Sequence, residues 1–264
     1  MKKYNSAKDK KFKRLSYFNT NIYLDFFAYT FERNNETIVV IQDILYQHDF
    51  PSIFLPSKKK NWECASVAFA TQNDINKVKD NNIEIFLSKK VETEYYFLTK
   101  KFISPEGSLL RQSKYFEKHN DYKIKHSYSK DKIKLFYNNW KSQKTRDGIL
   151  FEDSEAFFFF CLSNLKKYNI QQVYIEKDGA LAGFAWGVIA EKGWVGLHLK
   201  ADNSYRGLSR FLHVERAKMF SKLKRFTIGT GAAEEGIVEY KKSLHPNEEI
   251  DLYHLLTGSK VNSL

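Results

Sequence analysis

Two turn signals divide the second half of the chain into extended segments and limit the folds that it can adopt. Asp178-Gly179 separates the apolar runs 172–176 and 180–190, and Lys192-Gly193 separates the second run from 194–200. An Asp-Gly pair between two apolar runs is a strong signal for a two-residue hairpin turn. The pattern therefore predicts three strands in succession, of which the middle one is the longest.

A basic, glycine-containing turn and a helix follow these strands. The segment 205–210 (YRGLSR) begins a helix that we predict to run to about Lys222. A strand-like run at 225–228, a glycine turn at 229–231 and a short helix within 235–246 (EGIVEYKKSLHP) come next. Strands and helices that alternate in this way indicate layers of both kinds of element.

The first half carries weaker signals for both kinds of element. Helices are predicted over 19–31, 72–80 and 109–118, and strands over 38–41, 52–55, 67–70, 83–87, 95–98 and 122–128. Two amphipathic helices follow, through 133–140 and 157–165. The order of elements predicts an α/β or mixed α+β fold. We predict three regions, which are a solvated basic arm (1–14), an N-terminal lobe (15–128) and a C-terminal lobe (129–264).

Positive charge is concentrated in two segments. The chain has a net charge of +12, to which residues 1–14 contribute seven Lys/Arg against one Asp, and residues 114–146 ten against three acidic residues. Local positive charge suits a polyanion such as nucleic acid, an anionic membrane surface or a phosphate-bearing cofactor. A general lysine bias of the source genome would explain the lysines equally well. Arginine is scarcer, and four of the eight arginines lie within 206–225.

Several classes of protein are excluded on composition. No apolar run reaches the roughly 18 to 20 residues of a membrane span. Two cysteines, Cys64 and Cys161, are too few for a disulfide framework or a metal site. The lysine-rich N-terminus lacks the apolar core of a signal peptide. We therefore expect a cytoplasmic globular protein with no transmembrane segment, no metal and no tightly bound cofactor.

Three stretches together resemble one known family. They are EGIVEYKKSLHP with its Lys-x-Ser-x-x-Pro ending, the segment 106–116 with its Glu-Gly, Leu-Arg-Gln and Tyr-Phe groups, and the segment 18–31 that leads into paired strands and Leu55-Pro56. They are similar to the DUF2156 family, which includes the C-terminal domain of phosphatidylglycerol lysyltransferase. The resemblance implies a mixed α+β fold of two GCN5-related N-acetyltransferase-like lobes in tandem, each a twisted mixed sheet flanked by helices.

The resemblance also implies a donor site at the turn before the predicted helix. In the acetyltransferase fold this helix binds pyrophosphate, because its free amides and its dipole favour anions. The pattern there is Arg/Gln-x-x-Gly-x-Gly/Ala, and Gly207 fits its fourth place. The implied donor-binding residues are Arg206, Gly207, Leu208, Ser209 and Arg210, with Lys241 as a further candidate. A surface turn with a solvated arginine remains the alternative.

Acyl transfer needs a base for the amine, donors for the oxyanion and an acid for the leaving group. His198 and Glu176 are the candidate bases because they lie on the two central strands of the predicted lobe. Backbone amides at 197–199 are the candidate oxyanion donors. Tyr240 is a candidate acid, because tyrosine fills that role in acetyltransferases. Each of these side chains could instead serve packing alone.

Two classes of function remain open. The first is an acyltransferase that uses an acyl-CoA or an aminoacyl-tRNA as donor and a small molecule or lipid as acceptor, with contact to tRNA or to an anionic membrane surface. The second is a catalytically degenerate module of the same fold that binds RNA or an anionic membrane surface. The second is favoured by the Gly-Thr-Gly turn and Val238, where the family usually has an acidic stretch and an arginine.

Overall fold

A computed structural model describes residues 2–5, 15–41, 52–53, 58–63, 65–146, 154–231 and 235–258. Within these ranges the strands are β1 Lys2–Lys3, β2 Ala28–Arg33, β3 Glu36–Ile41, β4 Ser52–Ile53, β5 Ser66–Ala70, β6 Glu84–Leu98, β7 Lys123–Lys125, β8 Gln171–Lys177, β9 Ala180–Ala190, β10 Gly193–Ala201, β11 Arg225–Thr227 and β12 Glu248–Gly258. The helices are α1 Asn21–Phe27, α2 Gln72–Asp80, α3 Thr99–Ile103, α4 Gly107–His119, α5 Lys130–Arg146, α6 Ser154–Ser163, α7 Leu208–Met219 and α8 Glu235–Lys242. These elements confirm the prediction of a mixed α+β fold.

The chain divides into two compact units, each built from separated segments. The first unit contains Met1–Phe12, Asn21–Tyr95 and Thr230–Leu264, and the second contains Lys13–Thr20 and Tyr96–Gly229. The boundary that we predicted near residue 128 falls inside the second unit, because β7 before it pairs with β8 after it. Of the predicted basic arm, β1 pairs with β2, and residues 6–14 lie outside the described residues.

The first unit has a sheet in the order β1-β2-β3-β4-β5-β12-β6. Its β4–β5 pair is parallel, and the β2–β3 and β12–β5 pairs are antiparallel. Helix α2 begins at a capping box in which the Asp74 carboxylate accepts from both the backbone and the hydroxyl of Thr71, at 2.9 and 2.7 Å. The buried side chains Ile38, Val67 and Leu255 belong to one core cluster of this unit.

The second unit has a sheet in the order β6 (residues 96–98), β11, β10, β9, β8, β7. Strands β10 and β11 are parallel, and the other neighbours are antiparallel. The β8–β9 turn has positive φ angles of 52° at Asp178 and 78° at Gly179, as a two-residue hairpin turn requires. The turn signals at residues 178–179 and 192–193 therefore predicted these strands correctly.

Helices cover the β8–β10 region of the second unit on both faces. Leu208, Phe211 and Leu212 of α7 pack in a cluster with Val173 and Ala185 of the sheet. A separate aromatic layer joins α5, α6 and β9. There the ring of Phe158 stacks on Tyr137 at 4.0 Å and on Trp186 at 5.3 Å between ring centroids. The middle of the sheet is thus buried, and among the site candidates His198 lies there.

Helix α3 and strand β1 were not predicted, and three further elements differ from the sequence predictions. Strand β6 is continuous from Glu84 to Leu98 where two strands were predicted, because backbone pairing continues through the polar residues between the apolar runs. The helix predicted over 19–31 ends at Phe27, and the chain then enters β2. Strand β12 was not predicted, because its first half is acidic and its neighbours β5 and β6 are far away in sequence.

Candidate active site

Strand β10 of the second unit has an edge that is only partly paired. It pairs with β11 at two positions, Trp194 with Phe226 and Val195 with Thr227. Strand β11 ends at Thr227, whereas β10 continues to Ala201. In the described parts of the chain, no strand pairs with β10 on this side beyond Val195. Backbone groups along such an edge can bind an extended ligand.

A β-bulge interrupts β10 at the start of this edge. Gly196 pairs with Gly187 of β9, and the next paired residue, Leu199, lies opposite Ala185. Three steps along β10 therefore match two steps along β9, so that Leu197 and His198 together lie opposite Trp186. A bulge leaves its extra residue unpaired and turns the local backbone, and bulges are common beside active sites. Of the predicted oxyanion amides at 197–199, those of Leu197 and His198 lie in this bulge and that of Leu199 follows it.

His198 is enclosed by aromatic rings. Its ring centroid lies 5.6, 5.5 and 5.7 Å from those of Phe157, Phe158 and Trp186, and only 6% of the residue is exposed. Burial lowers the pKa of His198 to about 3, with further lowering by the charges of Lys200 and Arg216. The imidazole is therefore neutral at physiological pH and is a weak base.

One nitrogen of His198 is left without a hydrogen bond within the described part of the chain. Its Nε2 atom is buried and meets no hydrogen-bond partner among the residues that the structure describes. A buried polar atom without a partner costs free energy, on the order of 1–3 kcal/mol, and a bound group could recover it. His198 is thus better suited to hydrogen bonding than to proton abstraction.

The turn before α7 and the start of that helix, in the second unit, contain five of the six predicted donor-binding residues, Arg206 to Arg210. Gly207 is the N-cap of α7 and has a φ of 84°, and a Cβ there would overlap the carbonyl oxygen of Gln112 in α4. The exposed guanidinium of Arg206 lies over the ring of Tyr115, 4.8 Å from its centroid. Asp202 shapes the turn, since its carboxylate accepts from the backbone and the hydroxyl of Ser204 at 2.9 and 2.8 Å.

The other three predicted donor-binding residues at this turn differ in exposure. Leu208 is fully buried and belongs to the core cluster under α7, and Arg210 is 7% exposed. Ser209 is half-buried at the first turn of the helix. Gly207 carries no side chain that could cap the first-turn amides. The Leu208 amide already donates to the carbonyl oxygen of Tyr205 at 3.1 Å. The surface that a phosphate group could reach therefore consists chiefly of Arg206, Ser209 and the amides that follow Leu208.

Glu176 lies in a polar cluster elsewhere on the sheet. Its carboxylate accepts from the Lys125 ammonium at 2.6 Å and from the Tyr128 hydroxyl at 3.0 Å, and these two hydrogen bonds lower the pKa of Glu176. Glu176 pairs with Leu181 of β9, five residues from Trp186, which is about 16 Å along a strand. The structure therefore does not bring Glu176 and His198 together.

Tyr240 and Lys241 lie in the first unit, on α8. Tyr240 is half-buried. Lys241 is buried, and its ammonium donates to the carbonyl oxygen of Thr230. The helix that carries both residues is the one predicted from EGIVEYKKSLHP, and it covers Glu235–Lys242. Their roles in acid catalysis and donor binding stay predictions.

Two further observations concern metals and membranes. Among the described residues, no three His, Cys, Asp or Glu side chains converge as ligands of a metal ion. In the same ranges, no helix combines the length and the apolar character needed to cross a bilayer.

Solved structures share this fold. A conserved protein of unknown function from Bacteroides thetaiotaomicron VPI-5482 has a TM-score of 0.75 and 14% identity, over 96% of this chain and 94% of its own. The C-terminal domain (DUF2156) of a putative lysylphosphatidylglycerol synthetase from Agrobacterium fabrum has a TM-score of 0.61 and 14% identity, over 90% and 86%. FemX has a TM-score of 0.58 and 10% identity, over 85% and 88%. The chain has the fold of the DUF2156 domain.

The likeness is structural rather than sequential. No family model matches the sequence, and no curated protein matches it. Identities of 10–14% show a shared fold, and a fold hosts many functions. The resemblance that we noted from three short stretches is thus confirmed for the fold, whereas the function has to be argued from the site.

The sequence analysis did not single out Arg216 and Gly196, which lie beside the bulge. Arg216 is on α7 and is 1% exposed, and Gly196 is on β10 directly before Leu197. One signal in the sequence was an arginine in a helix that is rich in apolar residues. Most side chains of that helix are buried in the structure. The contact between Arg216 and Gly196 could not be read from the sequence, because it depends on how α7 crosses the sheet.

Proposed function

We propose that the chain is a transferase that moves an acyl or aminoacyl group from a phosphate-bearing donor to an amine or hydroxyl acceptor. The observation that carries the proposal is the bulged, partly unpaired edge of β10. Its backbone amides can hold the reacting carbonyl oxygen while the rest of the donor extends along the strand. The name of one structural neighbour, lysylphosphatidylglycerol synthetase, supports an acyl group that is an amino acid and an acceptor that is a lipid.

The donor would be an acyl-CoA or an aminoacyl-tRNA. Both contain phosphate groups, and the start of α7 offers first-turn amides, Ser209 and the guanidinium of Arg206. Helix N-termini and arginine forks both favour phosphate oxygens. The contact with the Tyr115 ring limits the positions that the Arg206 guanidinium takes, so less entropy is lost when it binds.

The reaction would run through a tetrahedral intermediate. The acceptor nitrogen or oxygen attacks the carbonyl carbon, and the carbonyl oxygen becomes an oxyanion held by the β10 amides. The carbon–sulfur bond of an acyl-CoA, or the ester carbon–oxygen bond of an aminoacyl-tRNA, then breaks. The leaving group takes up the proton that the acceptor loses. His198 would contribute as a neutral hydrogen-bond partner, because its pKa of about 3 makes it a weak base.

A second candidate function is a binding module that has lost its catalysis. Neither predicted base is suited to act as a general base. His198 has a pKa of about 3, and the Glu176 carboxylate is held by hydrogen bonds from Lys125 and Tyr128. Helix α5 carries six Lys/Arg and one Asp, a charge balance that suits RNA or an anionic membrane surface.

Thermal-shift titrations would separate the two functions. Coenzyme A, acetyl coenzyme A and bulk tRNA are each added at low and moderate salt, and a ligand that binds only the folded state raises the melting midpoint. A salt-tolerant shift with coenzyme A supports an acyl-CoA donor. A shift with tRNA, together with loss of the aminoacyl group when charged tRNA and an acceptor are supplied, supports an aminoacyl donor.

Arg206→Ala tests the donor site, with Arg111→Ala of helix α4 as the control because both arginines are exposed. Loss of one charged hydrogen bond should weaken donor binding by about 1–3 kcal/mol. The Arg111 variant should bind the donor like the wild type. Equal affinities of the two variants for the donor would refute the site, and a tRNA shift without any transfer would favour the binding module.

A further inference from the structure

Arg216 carries a positive charge into the interior of the second unit. It is 1% exposed on α7. Its Nη1 donates to the carbonyl oxygen of Trp186 at 3.1 Å, and its Nη2 lies 3.0 Å from Nδ1 of His213. A guanidinium can only donate, so Nδ1 of His213 accepts and a neutral His213 carries its proton on Nε2.

Both strands of the bulge touch this side chain. A Cβ added to Gly196 would lie 2.7–2.8 Å from the guanidinium carbon and both terminal nitrogens, so the guanidinium packs directly on the β10 backbone where the bulge begins. The carbonyl that it binds on β9 belongs to Trp186, the residue that lies opposite the bulge. A bulge disrupts the ladder at this point, and Arg216 supplies a donor to the carbonyl there.

The charge of Arg216 acts on the far side of the strand as well. It contributes to the low pKa of His198, although burial is the larger cause. The guanidinium carbon also lies 5.6 Å from the centroid of the Trp194 ring, a contact that attracts a cation. The field of this cation therefore reaches the residues that form the bulge.

Stability alone gives no reason for a cation at this position. A buried charge loses its hydration, and well-packed apolar side chains of similar volume often replace buried ionic groups without loss of stability. Leucine or methionine on α7 would pack against the same sheet. Compared with leucine or methionine, arginine adds a positive charge and two hydrogen bonds, one to the carbonyl oxygen of Trp186 and one to Nδ1 of His213.

We propose that Arg216 is a positioning residue that holds the β10 bulge in shape and adds positive potential behind it, so that the bulge amides polarise the carbonyl of the donor. This inference rests on the proposed function. The carbonyl oxygen gains negative charge as the acceptor attacks, and a fixed positive charge favours that change more than it favours the ground state. Arg216 itself need not touch the substrate.

The test compares Arg216→Met and Arg216→Lys with Arg225→Met. Arg225 is a suitable control because it lies in the same unit, with its guanidinium 4.5 Å from the centroid of the Tyr96 ring. The probe is acetyl coenzyme A or lysyl-tRNA with a ¹³C-labelled carbonyl, whichever binds the wild type. Isotope-edited infrared spectra report the carbonyl stretching frequency of the bound donor, and single-turnover kinetics report its transfer or hydrolysis.

We expect Arg216→Met to raise the carbonyl frequency and to slow the single turnover about 10- to 100-fold, somewhat less than direct removal of an oxyanion donor does. The affinity for the donor should change less than about twofold, since the effect belongs to the transition state. Arg216→Lys keeps the charge but loses the two-nitrogen fork of the guanidinium. Its carbonyl frequency and single-turnover rate should lie between those of the wild type and those of Arg216→Met. Arg225→Met should match the wild type.

The outcomes distinguish this inference from the proposed function. A wild type that binds neither donor overturns both. A wild type that binds and reacts, together with an Arg216→Met variant of unchanged frequency and rate, overturns the inference alone. If Arg216→Met does not fold, Arg216→Lys decides, because a wild-type frequency and rate in that variant would show that the fork has no role in positioning.

Discussion

Gly207→Ala should destabilise the second unit through two separate effects. A φ of 84° is unfavourable for alanine by about 1–2 kcal/mol. The new methyl group would also overlap the backbone carbonyl of Gln112, and overpacking of this kind costs about 1–3 kcal/mol. The lower entropy of the unfolded alanine chain offsets about 0.4–1 kcal/mol. The expected net loss is about 2–4 kcal/mol.

Gly179→Ala provides the matched control. Gly179 has a φ of 78° and lies in the same unit, but a Cβ there would meet nothing within 4 Å. The two variants share the backbone strain and the unfolded-state entropy, so their difference isolates the overlap with Gln112, at about 1–3 kcal/mol.

Urea unfolding in a Trp62→Phe background would measure this difference. The three remaining tryptophans all belong to the second unit, so their fluorescence follows that unit. The slopes with urea should agree between the variants, and the midpoints should differ. Equal losses of unfolding free energy in the two glycine variants would refute the close approach of the α7 turn to α4.

Three further predictions concern titration and reactivity. The pKa of His198 is about 3 in the native protein against 6.5 for the ordinary residue, so the unfolded chain binds more protons than the native protein between these two pH values. The contribution of neutral His198 to the free energy of unfolding is therefore fully present above pH 6.5. It falls towards pH 3 by up to about 1.4 kcal/mol per pH unit. His198→Phe should flatten the dependence of unfolding free energy on pH in this range, and an unchanged slope would contradict the burial of the ring. Glu176→Gln should lower the pKa of Tyr128, because burial, the hydrogen bond to Glu176 and its charge all raise that pKa; tyrosine ring NMR signals followed against pH would show whether it moves. Burial raises the pKa of the Cys161 thiol. In a Cys64→Ser background, a thiol reagent should therefore react with Cys161 only at the rate of unfolding. Rapid labelling of the native protein would disprove the burial of this thiol.

Local signals in the sequence account for the parts of the fold that were predicted. The hairpin at Asp178-Gly179 and the glycine turn before α7 depend on backbone conformations that few residues adopt, so the sequence marks them directly. Strand β12 has no such mark. It contains two glutamates and an aspartate, and it is extended because β5 and β6 lie beside it. Pairing between distant segments overrides a weak local preference.

Of the candidate site, the sequence predicted that His198 lies on a strand, but it predicted neither the chemistry of that residue nor its neighbours, since Glu176 lies elsewhere on the sheet. The sequence placed His198 on a central strand, and the strand is β10. Burial lowers its pKa most, followed by the charges of Lys200 and Arg216. The rings of Phe157 and Phe158 that enclose it come from about 40 residues earlier in the chain. Side chains from distant segments set the electrostatics of a site, and one sequence alone does not show which of them meet.

The order in which the chain leaves the ribosome matters for this topology. The second unit needs nothing beyond Gly229, so it can complete its sheet as soon as that residue has emerged. The first unit cannot, since β12 lies between β5 and β6 in its sheet, and these neighbours are made about 180 and about 150 residues earlier. During synthesis, the edges of β5 and β6 that face β12 in the finished sheet have no partner strand until β12 is made, and unpaired edges of this kind favour association with other chains.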